Sequence, residues 1–324
     1  MKGRCVVLAG LMTATAATAG AQQCQTAPIA ARQACTASVD LVNYMTPQLA
    51  TAIAGGSPTL AQSGALGGIG RFALTLRGTG VMDGAFPNVG DVPFKVDGSK
   101  QSYTTKDQIV PGVGVDASIG LWKGLNLGAT HVGGVDAIVS ALYVPDVEGD
   151  GGDFSIKAKD GNLKFGYGAR VGLLDESIIT PGVYASYLQR DLPTVTLSGA
   201  SGGSGAGSGT FALNDFSVKT TAMRLVAQKS LLIFGLTAGV GQDTYKASAN
   251  ISANVSGASA TGAADMSMTR TNMFVGASFN LFVFKVAVEY GQVSGGSVAT
   301  PYNTFDKAPD ASHKYLSGGI RLAF

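Results

Sequence analysis

Residues with chemical potential are few in this chain of 324 residues, and their spacing says what they do not do. The two histidines, His131 and His313, belong to no His/Cys/Asp/Glu cluster of metal-ligand spacing. Gly199-Ala200-Ser201-Gly202-Gly203 matches the G-x-S-x-G pattern of a nucleophile elbow. It lies inside a Gly/Ser-rich run, Ser198 to Gly209, where almost any such pattern occurs, and a polar loop is the better reading. Asp146 to Gly151 puts oxygen ligands at alternate positions with Gly sixth, the opening of a calcium-binding loop, but Lys157 occupies the twelfth position where a bidentate Glu belongs. This reads as an acidic surface loop. No catalytic residue, metal site or cofactor is expected.

The charged residues that alternate with apolar ones are more informative. If the apolar residues of each alternating stretch face lipid, the opposite face receives Arg71, Arg77, Lys164, Arg170, Arg224, Arg270, Lys285 and Arg321 against Asp116, Asp136, Asp243 and Glu289. Two accounts of that face follow. Rows of Arg and Lys favour anions in an aqueous pore, whereas paired charges in a narrow interior would leave no passage.

Composition sets the frame for that reading. Gly takes 46 positions, only 14% of residues are charged and 45% are hydrophobic, so disorder and an ordinary soluble surface are both disfavoured. No stretch outside the leader reaches the run of about 18 apolar residues that a membrane helix needs, Leu231 to Gly241 being the best candidate. Few charges, much Gly, Ser and Thr, and apolar residues spread over alternate positions are the composition of a membrane β-barrel.

The elements divide into three. Lys2 and Arg4, the weakly apolar stretch Cys5 to Ala19, and Ala19-Gly20-Ala21 read as a signal peptide, residues 1–21, cleaved before Gln22. Its removal leaves acidic and basic residues in equal number, and no basic run, so nucleic acid is not an expected partner. Residues 22–70 form a helical segment and connector. Leu41, Met45, Leu49 and Ile53 recur at steps of four, and Thr46-Pro47 resembles an N-cap and first helical residue, so two short helices separated near Tyr44 to Pro47 are expected before the Gly-rich connector 55–70. The segment has a plug's length and an apolar face. Cys24 and Cys35 can pair only if the chain between them is not one straight helix.

From Arg71 to Phe324 the period is two. Phe72, Leu74 and Leu76, then Val113, Val115, Ile119 and Leu121, then Leu163, Phe165, Tyr167, Val171 and Leu173 each alternate with Gly, Ser and charged residues. Short connectors are expected near Lys123-Gly124, Asp175 to Ser177, Gln228 to Ser230 and Asn280-Leu281. Long polar loops are expected at 82–106, 146–160, 194–208, 248–263 and 292–312. That spacing predicts an all-β transmembrane antiparallel barrel of about ten strands, with eight to fourteen compatible. A bulge is expected near Thr220, where the phase slips. Trp122, Phe234, Phe282 and Phe284 near the turns, and Tyr143, Tyr187 and Tyr290 toward the loops, suit two interfacial girdles.

The last residues, Ser317-Gly318-Gly319-Ile320-Arg321-Leu322-Ala323-Phe324, resemble the C-terminal β-signal of Gram-negative outer-membrane proteins, with Gly319, Leu322 and Phe324 in the diagnostic places. That resemblance implies the barrel-assembly machinery as a partner, outer-membrane lipid around the barrel, and the cell outer membrane as location. Tyr44-Met45-Thr46-Pro47 before a Gly-rich connector, with the strand pair from Phe165 to Leu192, resembles an uncharacterised outer-membrane family with an N-terminal helical segment. The long-chain fatty-acid transporters, whose N-terminal hatch plugs a barrel, are a weaker likeness, and none of their binding residues is carried over. The expected work is passive passage or uptake of a small or amphipathic solute. The alternative is a structural or adhesive surface barrel with a closed lumen, with an outer-membrane enzyme third.

Overall fold

The computed structural model describes residues 19–57, 65–90, 92–128, 130–148, 154–201 and 207–324. The signal peptide up to residue 18, residues 58–64 of the connector, 149–153 of the acidic loop and 202–206 of the Gly/Ser run lie outside the described residues.

Ten strands close into a ring. They are β1 (Phe72–Val81), β2 (Val110–Trp122), β3 (Gly134–Tyr143), β4 (Leu163–Leu174), β5 (Gly182–Asp191), β6 (Gly209–Leu231), β7 (Phe234–Val255), β8 (Ala258–Leu281), β9 (Phe284–Ser294) and β10 (His313–Ala323). Each pairs antiparallel with its sequence neighbours, β5 with β6 from Gly182↔Gln228 to Asp191↔Lys219, and β1 closes the seam with β10 from Ala73↔Ala323 to Val81↔Tyr315. A closed ring leaves no unpaired edge at membrane depth, which hydrocarbon demands because it supplies no hydrogen-bond partner. The two-residue period decides which face each residue takes. Leu74, Leu76, Val115, Ile119, Phe165, Tyr167, Leu225, Leu236, Val275, Val286 and Ile320 are exposed on the outside, while Thr75, Arg77, Asp116, Ser140, Arg170, Asp243, Glu289 and Ser317 are buried on the inside.

Strands β6, β7 and β8, of 23, 22 and 24 residues, run far beyond their neighbours on the loop side. The stretch 248–263, expected as a loop, is a continuation of the β7–β8 hairpin closed by Ser256-Gly257. Its strict alternation of Ala249, Ile251, Ala253 and Val255 with Asn and Ser is a strand pattern written in small residues. Within 194–208 there is also a strand, Val195–Ser201, which pairs with the upper part of β6 and with Phe154–Ala158. The bulge in β6 falls at Asn214 to Ser217, with Asp215 at φ +55°, below the expected Thr220 in sequence. Two of the tight turns sit a few residues beyond their expected places, at Leu232-Ile233 and Phe282-Val283.

The interior is filled from the N-terminal side by α1 (Ala19–Thr26) and α2 (Ile29–Ala54). The break expected near Tyr44 to Pro47 is absent, and one 26-residue helix runs through Pro47. A proline in a helix interior removes a backbone bond and costs about 3 kcal/mol when exposed. Here Thr46 Oγ1 donates to Val42 O (2.7 Å) and Thr51 Oγ1 to Pro47 O (2.7 Å), and burial on nearly all sides holds the helix together. The break instead falls at Ala27-Pro28, and the resulting hairpin brings Cys24 and Cys35 to a Cα separation of 5.4 Å, where they are disulfide-bonded. Burial also differs from the step-of-four reading. Leu41, Met45 and Leu49 are half-buried, whereas Ala31, Ala34, Ala37, Ala50, Ala52 and Ala54 are buried, because the closest approach to a surrounding wall needs small side chains. α1 packs on β8, and α2 on β6, β7 and β8 and, across the lumen, on β1, β2 and β10.

Candidate functional site

Around the C-terminal end of α2 the lumen holds the buried charges Arg224, Asp243 and Glu289. Carbonyls at that end have no helical partner and carry the negative end of the helix dipole, so cations and donors are favoured there. Arg224 Nη2 donates to Ala54 O at 3.2 Å and Asn272 Nδ2 to Gly55 O at 3.4 Å. Asp243 orients both donors: it pairs with Arg224 through both guanidinium ends and accepts from Asn272 Nδ2 at 3.2 Å and from Tyr245 Oη at 3.3 Å. Tyr315 Oη lies 3.1 Å from Asn272 Oδ1 and 3.0 Å from Glu289 Oε1. The alternation on β6 to β10 places these side chains inward at successive registers, Ala222↔Asp243, Asp243↔Arg270 and Glu289↔Ser317.

Two further sets complete the interior. Asp116 accepts from Arg77 Nε (3.1 Å), Arg190 Nη2 (3.0 Å) and Ser140 Oγ, while Arg190 Nε donates to Ser140 Oγ (3.1 Å). Asp136 pairs with Arg170 (2.6 Å) and also accepts from the backbone N–H of Leu66 (3.0 Å), which fixes the chain leaving the lumen at the turn side. Arg270 ties β8 to the β9–β10 connection through Ala311 O at 2.6 Å and Asp310 O at 3.2 Å. Beneath the helix end, a cavity of about 20 Å³ remains among Ser57, Tyr184, Arg170, Arg224 and Glu289, room for one water molecule.

At the loop side, α2 is held by backbone clasps. Gln48 accepts from Ala85 N–H (2.7 Å) and donates to Ala85 O (2.9 Å). Asp40 Oδ2 accepts from Tyr302 N–H (3.1 Å), Asn303 N–H (2.6 Å) and Asn303 Nδ2 (3.0 Å), and Gln33 Nε2 donates to Asn303 Oδ1 (3.2 Å) and Tyr103 Oη (2.9 Å). Burial pushes the Asp40 carboxyl up to about 7, against the opposing pull of the Asn303 hydrogen bonds.

Of the charged residues assigned to the inner face, Arg77, Asp116, Asp136, Arg170, Arg224, Asp243, Arg270, Glu289 and Arg321 are buried there. Lys285 is half-buried, and Arg71 and Lys164 are exposed at opposite rims, where their strands end. Gly319 faces Arg77 across the seam, Leu322 is half-buried, and Phe324 stacks on Phe72 with ring centroids 5.0 Å apart. Arg190, Asn272, Tyr245, Tyr315 and Asp40 belong to the site without having been singled out in sequence. Arg190 shares its face with Tyr184 and Leu188, so its strand carries apolar residues on both sides and gives no inside-outside signal. In the acidic loop, Lys157 forms an ion pair with Glu148 (2.8 Å). Among the described residues, no group of three His, Cys, Asp or Glu side chains is placed to hold a metal.

No protein-family model matches the chain, and no curated protein sequence matches it. Solved structures similar to it are outer-membrane proteins. One is Ail, the attachment invasion locus protein of Yersinia pestis, solved with the heparin analogue sucrose octasulfate: 11% identity, 79% of this chain and 99% of that one, TM-score 0.32. Another is the Pseudomonas putida toluene transporter TodX, at 14% identity, 85% and 97% coverage and TM-score 0.33. A third is Neisserial surface protein A, at 9% identity, 79% and 97% coverage and TM-score 0.28. The barrel fold of this chain rests on its own closed ring and apolar exterior.

Proposed function

We propose that this is an outer-membrane barrel with a closed lumen, a structural or adhesive surface protein whose extended strands β6 to β8, capped by α1 and the first half of α2, form its outward platform. The observation that carries the reading is α2 in the lumen with its last carbonyls bound by Arg224 and Asn272. The buried cations support it as well: Arg77, Arg170, Arg190 and Arg224 sit in ion pairs and do not line an aqueous path as a row. In this reading the long connections face the cell exterior and the short turns the periplasm. Lipid surrounds the apolar face, the terminal β-signal is read by the assembly machinery after the leader is removed, and no catalytic step is assigned.

Conductance tests the reading against open passage or uptake. In a planar bilayer the intact protein is expected to give no steady conductance, and a variant lacking Ile29–Ala54, with Cys24→Ser to remove the orphaned thiol, is expected to open a step at least several-fold above it. An intact protein that conducts as well as the deletion variant would instead establish passage past the helix.

A further inference from the structure

Every short connection at the turn end carries an exposed apolar side chain, with Arg71, Lys123 and Asn126 exposed between them. Ile69 before β1, Leu127 between β2 and β3, Ile178 and Ile179 between β4 and β5, Leu232 between β6 and β7, and Phe282 between β8 and β9 all stand exposed at the tips, Leu232 at 99% and Phe282 at 107%. An exposed apolar patch of this extent marks a contact surface.

Backbone conformation shows that two of these side chains are retained at a cost. Leu232 and Phe282 have φ of +57° and +50°, a region that bulky residues avoid. At the opposite end the β7–β8 hairpin uses the same region with Ser256 and Gly257, the ordinary choice for a tight turn. The turn side has bulky apolar residues where glycine or asparagine would relieve the strain.

Backbone groups at the 175–181, 232–233 and 282–283 turns are partnered within the protein. Ile233 O accepts from Asn280 N–H (2.8 Å) and Val283 O from Ala323 N–H (3.3 Å). The Lys229 ammonium donates to Ser177 O (2.6 Å), Ile178 O (3.0 Å) and Thr180 O (3.4 Å), and Glu176 accepts from Ser230 N–H and Oγ. Irregular backbone can enter a bilayer only when its groups are paired in this way.

We propose that the apolar tips of the turn end are buried in the acyl region of the periplasmic leaflet, while the long Arg71 and Lys123 side chains reach out to the head groups. The inference rests on the outer-membrane barrel reading. Lipid is the occupant because the tips surround the whole rim, which a protein docked on one side does not cover, and because they continue the apolar face of Leu231, Phe234, Leu281 and Phe284 without a break.

Tryptophan depth measurement tests it. In a Trp122→Phe background, which removes the native indole, Phe282→Trp is placed at a tip and Val240→Trp in the middle of the outer face as a control. Each protein is reconstituted in phosphatidylcholine vesicles containing brominated phosphatidylcholine. At least a twofold loss of emission is expected in both, with little quenching by aqueous iodide. Quenching by bromine in the Val240→Trp protein alone, with iodide quenching the Phe282→Trp protein, overturns the proposal and leaves the barrel reading standing. No bromine quenching in either overturns both. A second variant, Phe282→Gly, suits the turn's φ, so strain relief alone would raise its unfolding midpoint in those vesicles. Immersion predicts a lower midpoint, and a rise overturns the proposal.

Discussion

Asp40 is the single acidic residue of α2, and its burial gives the plug a pH dependence whose sign is fixed. Its carboxyl lies near 7 in the folded protein against 3.8 in the open chain, so the native state favours the protonated form. The contribution is complete below about 3.8 and is lost as pH rises through about 7. The junction between α2 and residues 302–303 is therefore expected to loosen as pH rises from about 4 to about 7 and to change little above that. Asp40→Asn is expected to remove that slope and to slow proteolysis of the 295–312 connection at pH 8 by at least about tenfold, since each pH unit between about 3.8 and about 7 loosens the wild type by up to a factor of ten. A cleavage rate with the same pH profile in wild type and variant would refute it. The pairing of Asp40 with Asn303 was not legible in sequence, because it joins residues 263 positions apart. Spacing along a chain reports only partners on the same element. Asp116 was legible as inward-facing, since it and Ser118 alternate with the exposed Val115 and Ile119, whereas Asp136 shares its face with the buried Ile138 and Leu142 and has no such contrast.

Among elements, α2 and its wall are fitted by small residues. A Cβ on Gly112 of β2 would lie 2.5 Å from Ala52 O, inside contact distance. In a free strand, Gly→Ala gains about 0.5–1 kcal/mol, whereas overpacking a filled interior costs about 1–3 kcal/mol. The clash wins at this position. Gly112→Ala is thus expected to lower the unfolding midpoint and make α2 protease-sensitive, while Gly78→Ala, on the outer face of β1 with open space around its Cβ, is expected to raise it. Equal effects at both sites would show that α2 does not press on β2. The ten strands were readable because lipid outside and polar residues inside impose a two-residue period. The continuation of β7 and β8 was harder to read, since there the contrast is Ala against Ser and Asn. The helix through Pro47 defied local rules because the lumen wall supplies what propensity withholds.

At the scale of the whole molecule, Phe324 holds the ring shut. It exchanges backbone bonds with Phe72 in both directions, at 3.1 and 2.9 Å, and stacks on its ring. Deleting Phe324 is expected to reduce the amount of heat-modifiable barrel several-fold, and Phe324→Tyr to preserve it because the ring and the pairing remain. Unchanged barrel after the deletion would show that the seam closes without its terminal stack. The path of the chain through this ring has a kinetic consequence. α1 and the first half of α2 lie at the loop mouth, Ser57 lies beside the central cavity, and Leu66 is bound to Asp136 on the way to β1 at the turn mouth. The polypeptide is threaded through its own barrel from one mouth to the other. A ring that closed empty would have to pull a disulfide-locked hairpin through a lumen lined by arginines. Closure of the β1–β10 seam around a resident α2 avoids that passage, so the N-terminal helical hairpin and β10 must meet at the same late step of folding.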